Sequence, residues 1–448
     1  METQKRMTGR LARWTAVLAA LAAWSHAVAG TFVETTSAHY GNFQGIDYVR
    51  HSGRFVGQTA RGPYRVPFEI VAPASPEQGN GTVVIEPPHF LFGPSARDIV
   101  LGPDLLFDGR FSHASVGFAN QGLNLLDPTA ADAVIAGFPA PVNAPPFPRD
   151  VEILRQFAEA LVEDPVAVAM LGRVERRYAY GLSQSAEALY ELFYGPGAAG
   201  LFDLTLLNVP LWRPAFARPD VLAALPATFT PLADIGKVMF VSAEGDLLIS
   251  QSLQLRNAMS HPDYRVYEVA GAPHLPQDVV IGEVRTNPLD IAPVVRAAFV
   301  AGDRWVTSNA LPPASRLLDA ADPNEIDPVY WAPTGIARDA NLNALGGVRF
   351  PDVESGRALH IASALDVEVL PGLPGLIGLF FDLACAPAPG TASLTPRFSN
   401  HGKYVGWVAR QARKLARQGF LLQEDANALI NAAAKSDVGQ PGTCSAQQ

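Results

Sequence analysis

Short apolar runs, each ended by polar or Pro-containing turns, recur along the chain, and stretches with helical spacing lie between them. The clearest run is Thr82-Val83-Val84-Ile85-Glu86, preceded by the polar turn Glu77-Gln78-Gly79-Asn80-Gly81 and stopped by Pro87-Pro88. A run apolar at nearly every position fits a strand buried on both faces. Similar runs occupy 114–119, 178–180, 201–209 and 237–241, and 264–269 reads as a further strand. Helical periodicity predicts helices near 98–107, 151–158, 186–189, 250–259 and 291–300. Ahead of these, residues 31–75 read as β-rich, with Phe55-Val56-Gly57-Gln58 and 64–71 alternating as a hairpin. Strand and helix in alternation predict an α/β fold, a mostly parallel central sheet with helices on both faces.

Two stretches break the rhythm. Residues 127–148 form a loop rich in Pro and Ala. Residues 210–235 carry Pro210, Trp212, Pro214, Phe216, Pro219, Pro226, Phe229 and Pro231, the composition of a lid-like insertion or of a packed connecting loop. The expected organisation is a core over 30–301 and a decorated C-terminal region over 302–448, packed on that core as an extension. Its apolar run 370–381 is broken by Pro and Gly and stopped by Asp382. That is too short and interrupted to cross a membrane, which takes about 20 apolar residues. The run is expected to pack on the core, with the lining of an apolar acyl pocket as its other possible role. Trp407, Val408, Ala412 and Leu415 recur with helical spacing, and Arg410, Arg413, Lys414 and Arg417 form a solvated opposite face.

The N-terminus reads as a leader. Lys5, Arg6, Arg10 and Arg13 precede the apolar stretch 14–24, and Ala27-Val28-Ala29 supplies small-x-small, so residues 1–29 are expected to be a signal peptide cleaved after Ala29. The mature chain is then expected to be secreted or periplasmic, without an integral membrane segment. In an oxidising compartment the two cysteines, Cys385 and Cys444, are the only pair available for a disulfide, and two separate thiols are the alternative. The nine histidines show no metal-ligand spacing, so no metal or other cofactor is expected. A formal charge of −9 gives no basis for nucleic-acid binding.

The chemistry concentrates at Tyr180-Gly181-Leu182-Ser183-Gln184-Ser185-Ala186, where an apolar run turns sharply into helix formers. A serine on a strained strand-to-helix turn projects its hydroxyl beyond the sheet, and its flanking residues must be small because two backbones pass within contact distance. Ser183 is the candidate nucleophile, against the plainer reading of Ser183 as a helix cap. The N–H of Gln184 is a candidate oxyanion donor. Beyond the 237–241 run stand Glu244 and Asp246; beyond the 264–269 run stands His274. Serine, acid and histidine in this order, each past a strand, make a nucleophile–base–acid set. Asp246 is the preferred acid, Glu244 the alternative. The second oxyanion donor is expected in the loop after Glu86, from His89 or Phe90, because prolines have no N–H.

These stretches resemble the bacterial α/β-hydrolase-domain proteins that carry a Gly-x-Ser-Gln-Ser-Gly elbow. The likeness extends to 81–86, to the acid loop Ser242-Ala243-Glu244-Gly245-Asp246 and to the histidine loop Ala270-Gly271-Ala272-Pro273-His274. It continues through Asp303-Arg304-Trp305-Val306, Pro312-Pro313, 343–351 and the helical tail 404–428, together covering most of 57–435. The chain departs from the pattern at Ala186-Glu187, where the family has Gly-Arg, and at Pro88-His89, where an asparagine is expected. The resemblance implies an α/β-hydrolase fold and a serine hydrolase acting on a small-molecule or acyl ester. An amidase or peptidase on the same three groups, and a non-catalytic exported binding protein, are the alternatives.

Overall fold

A computed structural model describes residues 30–89, 93–94, 96–118, 150–193, 197–210, 235–250, 261–281, 284–364, 368–370, 373–383, 385–387, 394–396 and 398–440. The leader, the 127–148 loop, most of the 210–235 insertion, most of the 250–259 helix, Phe90 and Cys444 lie outside the described residues.

Among the described residues, nine strands form the main sheet: β1 Thr31–Phe43, β2 Ile46–Thr59, β3 Gly62–Pro73, β4 Thr82–Glu86, β5 Ser112–Val116, β6 Arg176–Leu182, β7 Leu204–Asn208, β8 Lys237–Ala243 and β9 Tyr264–Val269. Their spatial order is β1-β2-β3-β5-β4-β6-β7-β8-β9. The first three strands and β5 pair antiparallel, and every neighbour from β5 through β9 is parallel. The hairpin expected from 55–71 is longer than its apolar core, because β2 and β3 pair from Tyr48 opposite Pro73 to Thr59 opposite Gly62.

Alternation along the strands divides the core. Val83, Ile85 and Ala179 face a cluster holding Ile153, Phe157 and Leu161 of α1 (Val151–Glu163), Ala167 of α2 (Pro165–Leu171) and Leu189 of α3 (Gln184–Phe193). Val84, Tyr178 and Tyr180 face the other way, toward Val295 and Phe299 of α5 (Ala292–Ser308). Helices therefore cover both faces, with α4 (Glu244–Ser250) following β8 directly. The helix expected at 98–107 forms instead as two π-helical turns, Ala96–Val100 and Asp104–Asp108. Gly102, at φ +81°, and Pro103 separate them, since neither continues a regular helix.

The chain beyond α5 continues the sheet at its edge. The Glu268 N–H donates to the Arg316 carbonyl at 2.9 Å, and the Ala270 N–H to Val348 at 3.1 Å. Covering an edge strand in this way satisfies backbone groups that would otherwise stand open. A small second sheet joins β10 (Val280–Ile281), β11 (Val284–Thr286), β12 (Ala358–Ile361) and β13 (Leu379–Asp382) in the order β10-β11-β13-β12. The short helix α6 (Pro351–Ser355) leads into β12. The apolar run at 370–381 thus reaches the histidine loop: the Leu275 N–H donates to the Leu376 carbonyl at 2.8 Å. The tail helix expected over 404–428 is two helices, α7 (His401–Arg417) and α8 (Gln423–Lys435), divided at Gly419, φ +81°. On α7, Tyr404, Val408, Ala412 and Leu415 are buried, while Arg410, Arg413, Lys414 and Arg417 are exposed.

Candidate active site

In open parallel sheets, ligand-facing groups gather beyond the carboxyl ends of the strands, where the strand order reverses. Here β4 lies between β5 and β6, and the chain turns from β6 into α3 at that reversal. Ser183 sits on this turn at φ +51°, a strained left-handed value for a serine. Two neighbours make the turn possible. A β-carbon on Gly181 would stand 2.5 Å from the Ala186 Cα, so only glycine fits. The Ser185 hydroxyl accepts the Leu182 N–H at 2.8 Å and donates to the Leu182 carbonyl at 2.9 Å, closing the turn with its own side chain. The Ser183 N–H donates to Asn208 on β7 at 2.9 Å, which ties the elbow to the next strand.

Three of the residues expected from the sequence meet here. Ser183 Oγ lies 2.9 Å from His274 Nε2. His274 Nδ1 lies 2.6 Å from Asp246 Oδ1. The other oxygen of Asp246 accepts the Ala243 N–H at 2.7 Å, which fixes the carboxylate against the end of β8. Asp246 is fully buried, and the His274 side chain is 9% exposed. With Nδ1–H donated to Asp246, His274 presents Nε2 as an acceptor for the serine hydroxyl.

Glu244, the alternative acid, directs both of its oxygens to other partners. Its Oε2 accepts the Gly271 N–H at 2.7 Å and its Oε1 faces Arg338 Nη1 at 2.5 Å. Gln184 is the first residue of α3, where backbone N–H groups have no acceptor within their own helix. The expected role of the His89 N–H is corrected. It donates to the Gly93 carbonyl at 2.9 Å while the Gly93 N–H returns to the His89 carbonyl at 2.8 Å, so this donor is already engaged. The positions of the prolines could not reveal that pairing, and Phe90 lies outside the described residues.

Burial drives the His89 imidazole pKa down to about 3, with the nearby His274 adding to the effect. His360 falls to about 4, again chiefly through burial. Both are therefore neutral in the native protein, whereas the unfolded chain titrates near the ordinary 6.5. Below that value the unfolded state takes up more protons, so stability is complete above pH 6.5 and declines as pH falls toward 4. Each histidine should contribute a slope of about 1.4 kcal/mol per pH unit across that window. Urea unfolding at stepped pH checks this; a His360→Gln variant with the wild-type slope would remove His360 from the account.

Sequence reasoning did not identify the groups behind the histidine loop. Asn287 Nδ2 donates to the Gly271 carbonyl at 2.7 Å, and His360 Nδ1 lies 3.0 Å from Asn287 Oδ1. Arg338 and Asp327 stand behind Glu244. These residues come from three separate stretches with no shared motif or spacing. Beneath the loop after β4, Glu86 and His113 form a fully buried pair at 2.9 Å.

The sequence profile of the alpha/beta hydrolase domain family matches residues 31–431. The chain belongs to this family. Solved structures that align with part of this chain include an esterase from Pyrobaculum calidifontis, at 14% identity over 48% of this chain and 75% of that one, TM-score 0.33. Brefeldin A esterase, described as a bacterial homologue of human hormone sensitive lipase, matches at 14% identity over 53% and 69%, TM-score 0.29. S-formylglutathione hydrolase from Agrobacterium tumefaciens matches at 10% identity over 53% and 89%, TM-score 0.34. No curated protein matches the chain. Among the described residues of this family member, no group of three or more His, Cys, Asp and Glu could hold a metal ion, and no helix is long and apolar enough to cross a membrane.

Proposed function

We propose that this alpha/beta hydrolase is an exported serine esterase that cleaves a small-molecule or acyl carboxylic ester through an acyl-enzyme. The observation that carries the reading is the continuous chain from Ser183 Oγ to His274 at 2.9 Å and from His274 to buried Asp246 at 2.6 Å. Ser183 Oγ attacks the ester carbonyl carbon while its proton passes to His274 Nε2. Asp246 holds the imidazole in the required tautomer and stabilises the imidazolium. The tetrahedral oxyanion is met by the Gln184 N–H at the start of α3. His274 then returns the proton to the alcohol oxygen as the C–O bond breaks. A water, deprotonated by the same histidine, releases the acid and restores Ser183.

Export rests on the basic and apolar segments of residues 1–29 and on the Ala27-Val28-Ala29 cleavage pattern. The test is a panel of p-nitrophenyl esters and matched anilides applied to the protein recovered from the exported fraction. Ester hydrolysis by a chain beginning at Gly30 is expected. Preferential anilide cleavage would replace the esterase reading with an amidase, and a chain retaining the leader inside the cell would end the export reading.

A further inference from the structure

We propose that Arg338 and Asp327, from the segment beyond the main sheet, act with Glu244 as a positioning clamp that holds the acid turn and the histidine loop in register. The inference rests on the triad reading of Ser183, His274 and Asp246. It gives the C-terminal region a direct part in that site.

One carboxylate spans both loops. Glu244 lies two residues before Asp246, and its Oε2 accepts the N–H of Gly271, three residues before His274, at 2.7 Å. Gly271 adopts φ +74°, and its carbonyl receives Asn287 Nδ2 at 2.7 Å, so this loop is held from both sides. Glu244 Oε1 takes Arg338 Nη1 at 2.5 Å. Arg338 in turn places Nε at 2.9 Å and Nη2 at 2.7 Å from Asp327 Oδ2. Asp327 is fixed by the Thr334 hydroxyl at 2.6 Å and the Val329 N–H at 2.9 Å. The side chains of Arg338, Glu244 and Asp327 are 6%, 0% and 2% exposed.

The packing leaves little freedom for the acid turn to drift. A β-carbon on Gly245, between Glu244 and Asp246, would stand 2.8 Å from the Ala362 carbonyl and 3.0 Å from the His274 nitrogen. The Ala362 N–H is itself held by the Tyr330 hydroxyl at 3.0 Å, and the Arg338 guanidinium lies 5.3 Å over the Tyr330 ring. A buried carboxylate bonded on both oxygens in this way sets the separation of two backbone segments. That separation is what the 2.6 Å contact between His274 and Asp246 depends on. Hydrogen-bonded groups behind a reacting centre act by limiting small displacements, which are costly to rate.

The test measures fluorophosphonate labelling of full-length mature protein as a function of probe concentration. Wild type is compared with Glu244→Gln, Arg338→Met and Arg338→Lys. The amide of Glu244→Gln cannot accept from both Gly271 and Arg338 through separate oxygens. Expected are limiting rates about 10–100-fold lower for Glu244→Gln and Arg338→Met, with half-saturating concentrations near wild type and complete final labelling. Arg338→Lys, which retains a charge but not the fork, should recover part of the rate. A merely structural role would reduce the amount of labelled protein, because the folded fraction would react at the wild-type rate. That outcome, or wild-type limiting rates in both, overturns the clamp. If Arg338→Met fails to fold, the nearly isosteric Glu244→Gln decides between the same outcomes. Absence of labelling in wild type would instead remove the triad reading itself.

Discussion

Hydrolysis of p-nitrophenyl esters by the Ser183→Ala protein should fall about 10⁵-fold in kcat, with the fold and thermal midpoint close to wild type. The magnitude follows from the way triad members act as one unit, so that losing the nucleophile removes the whole covalent route and leaves only binding and oxyanion stabilisation. Stability should be spared because the turn does not depend on this hydroxyl. It is held by the Ser183 N–H to Asn208, by the Glu187 N–H to the Ser183 carbonyl at 3.1 Å, and by Ser185 on Leu182. The left-handed Ser183 backbone, φ +51°, remains equally strained with alanine in its place. Full-length folded Ser183→Ala that keeps more than about 1% of wild-type turnover would place the nucleophile elsewhere.

The second large effect separates the two carboxylates of the acid loop. Asp246→Asn should lower kcat about 10⁴-fold, because an asparagine facing His274 Nδ1 through its amide favours the tautomer that carries its proton on Nε2. The serine hydroxyl then meets an N–H rather than a lone pair. The amide oxygen of the variant would still accept the Ala243 N–H, where Asp246 Oδ2 now accepts at 2.7 Å. Glu244→Gln should fall far less, because that side chain bonds Gly271 and Arg338 and acts on geometry alone. Steady-state kinetics on both variants settle the assignment. The reverse ranking would make Glu244 the acid and Asp246 its support.

The legible parts of this molecule share one property: their physical constraint is local in sequence. A strand buried on both faces must be apolar at nearly every position, so Thr82–Glu86 and the 237–241 run of β8 stand out from the chain alone. The elbow announces itself because two backbones crossing at contact distance admit only Gly181 and other small residues nearby. Ser185 is instructive. It takes the place of a second glycine, yet its hydroxyl closes the turn on both polar groups of Leu182.

What depended on distant partners was not legible. Glu244 and Asp246 stand two apart on one loop; the loop length after β8 favours Asp246, and the approach of the histidine loop separates their roles. The His89 N–H looked available because Pro87 and Pro88 have none, but it donates to the Gly93 carbonyl, a pairing that no local rule specifies. The apolar run near Leu376 was expected to pack on the core, and its place beside Leu275 arises from the long return of the chain through β12 and β13. Arg338, Asp327, Asn287 and His360 carry no motif at all. Each is recognisable only after the fold brings it behind Gly271 or Glu244.

In the proposed reaction Ser183 is a nucleophile activated by His274. The most direct test is reaction of the purified mature protein with a fluorophosphonate, wild type beside Ser183→Ala, read by intact mass and by peptide mapping. Attack of Ser183 Oγ on phosphorus expels fluoride, and the serine proton is taken up by His274, leaving a stable phosphonyl ester. A single adduct mapped to Ser183 and absent from Ser183→Ala is the result expected. A well-folded wild-type protein that gains no adduct, or gains one at another residue, would contradict the account.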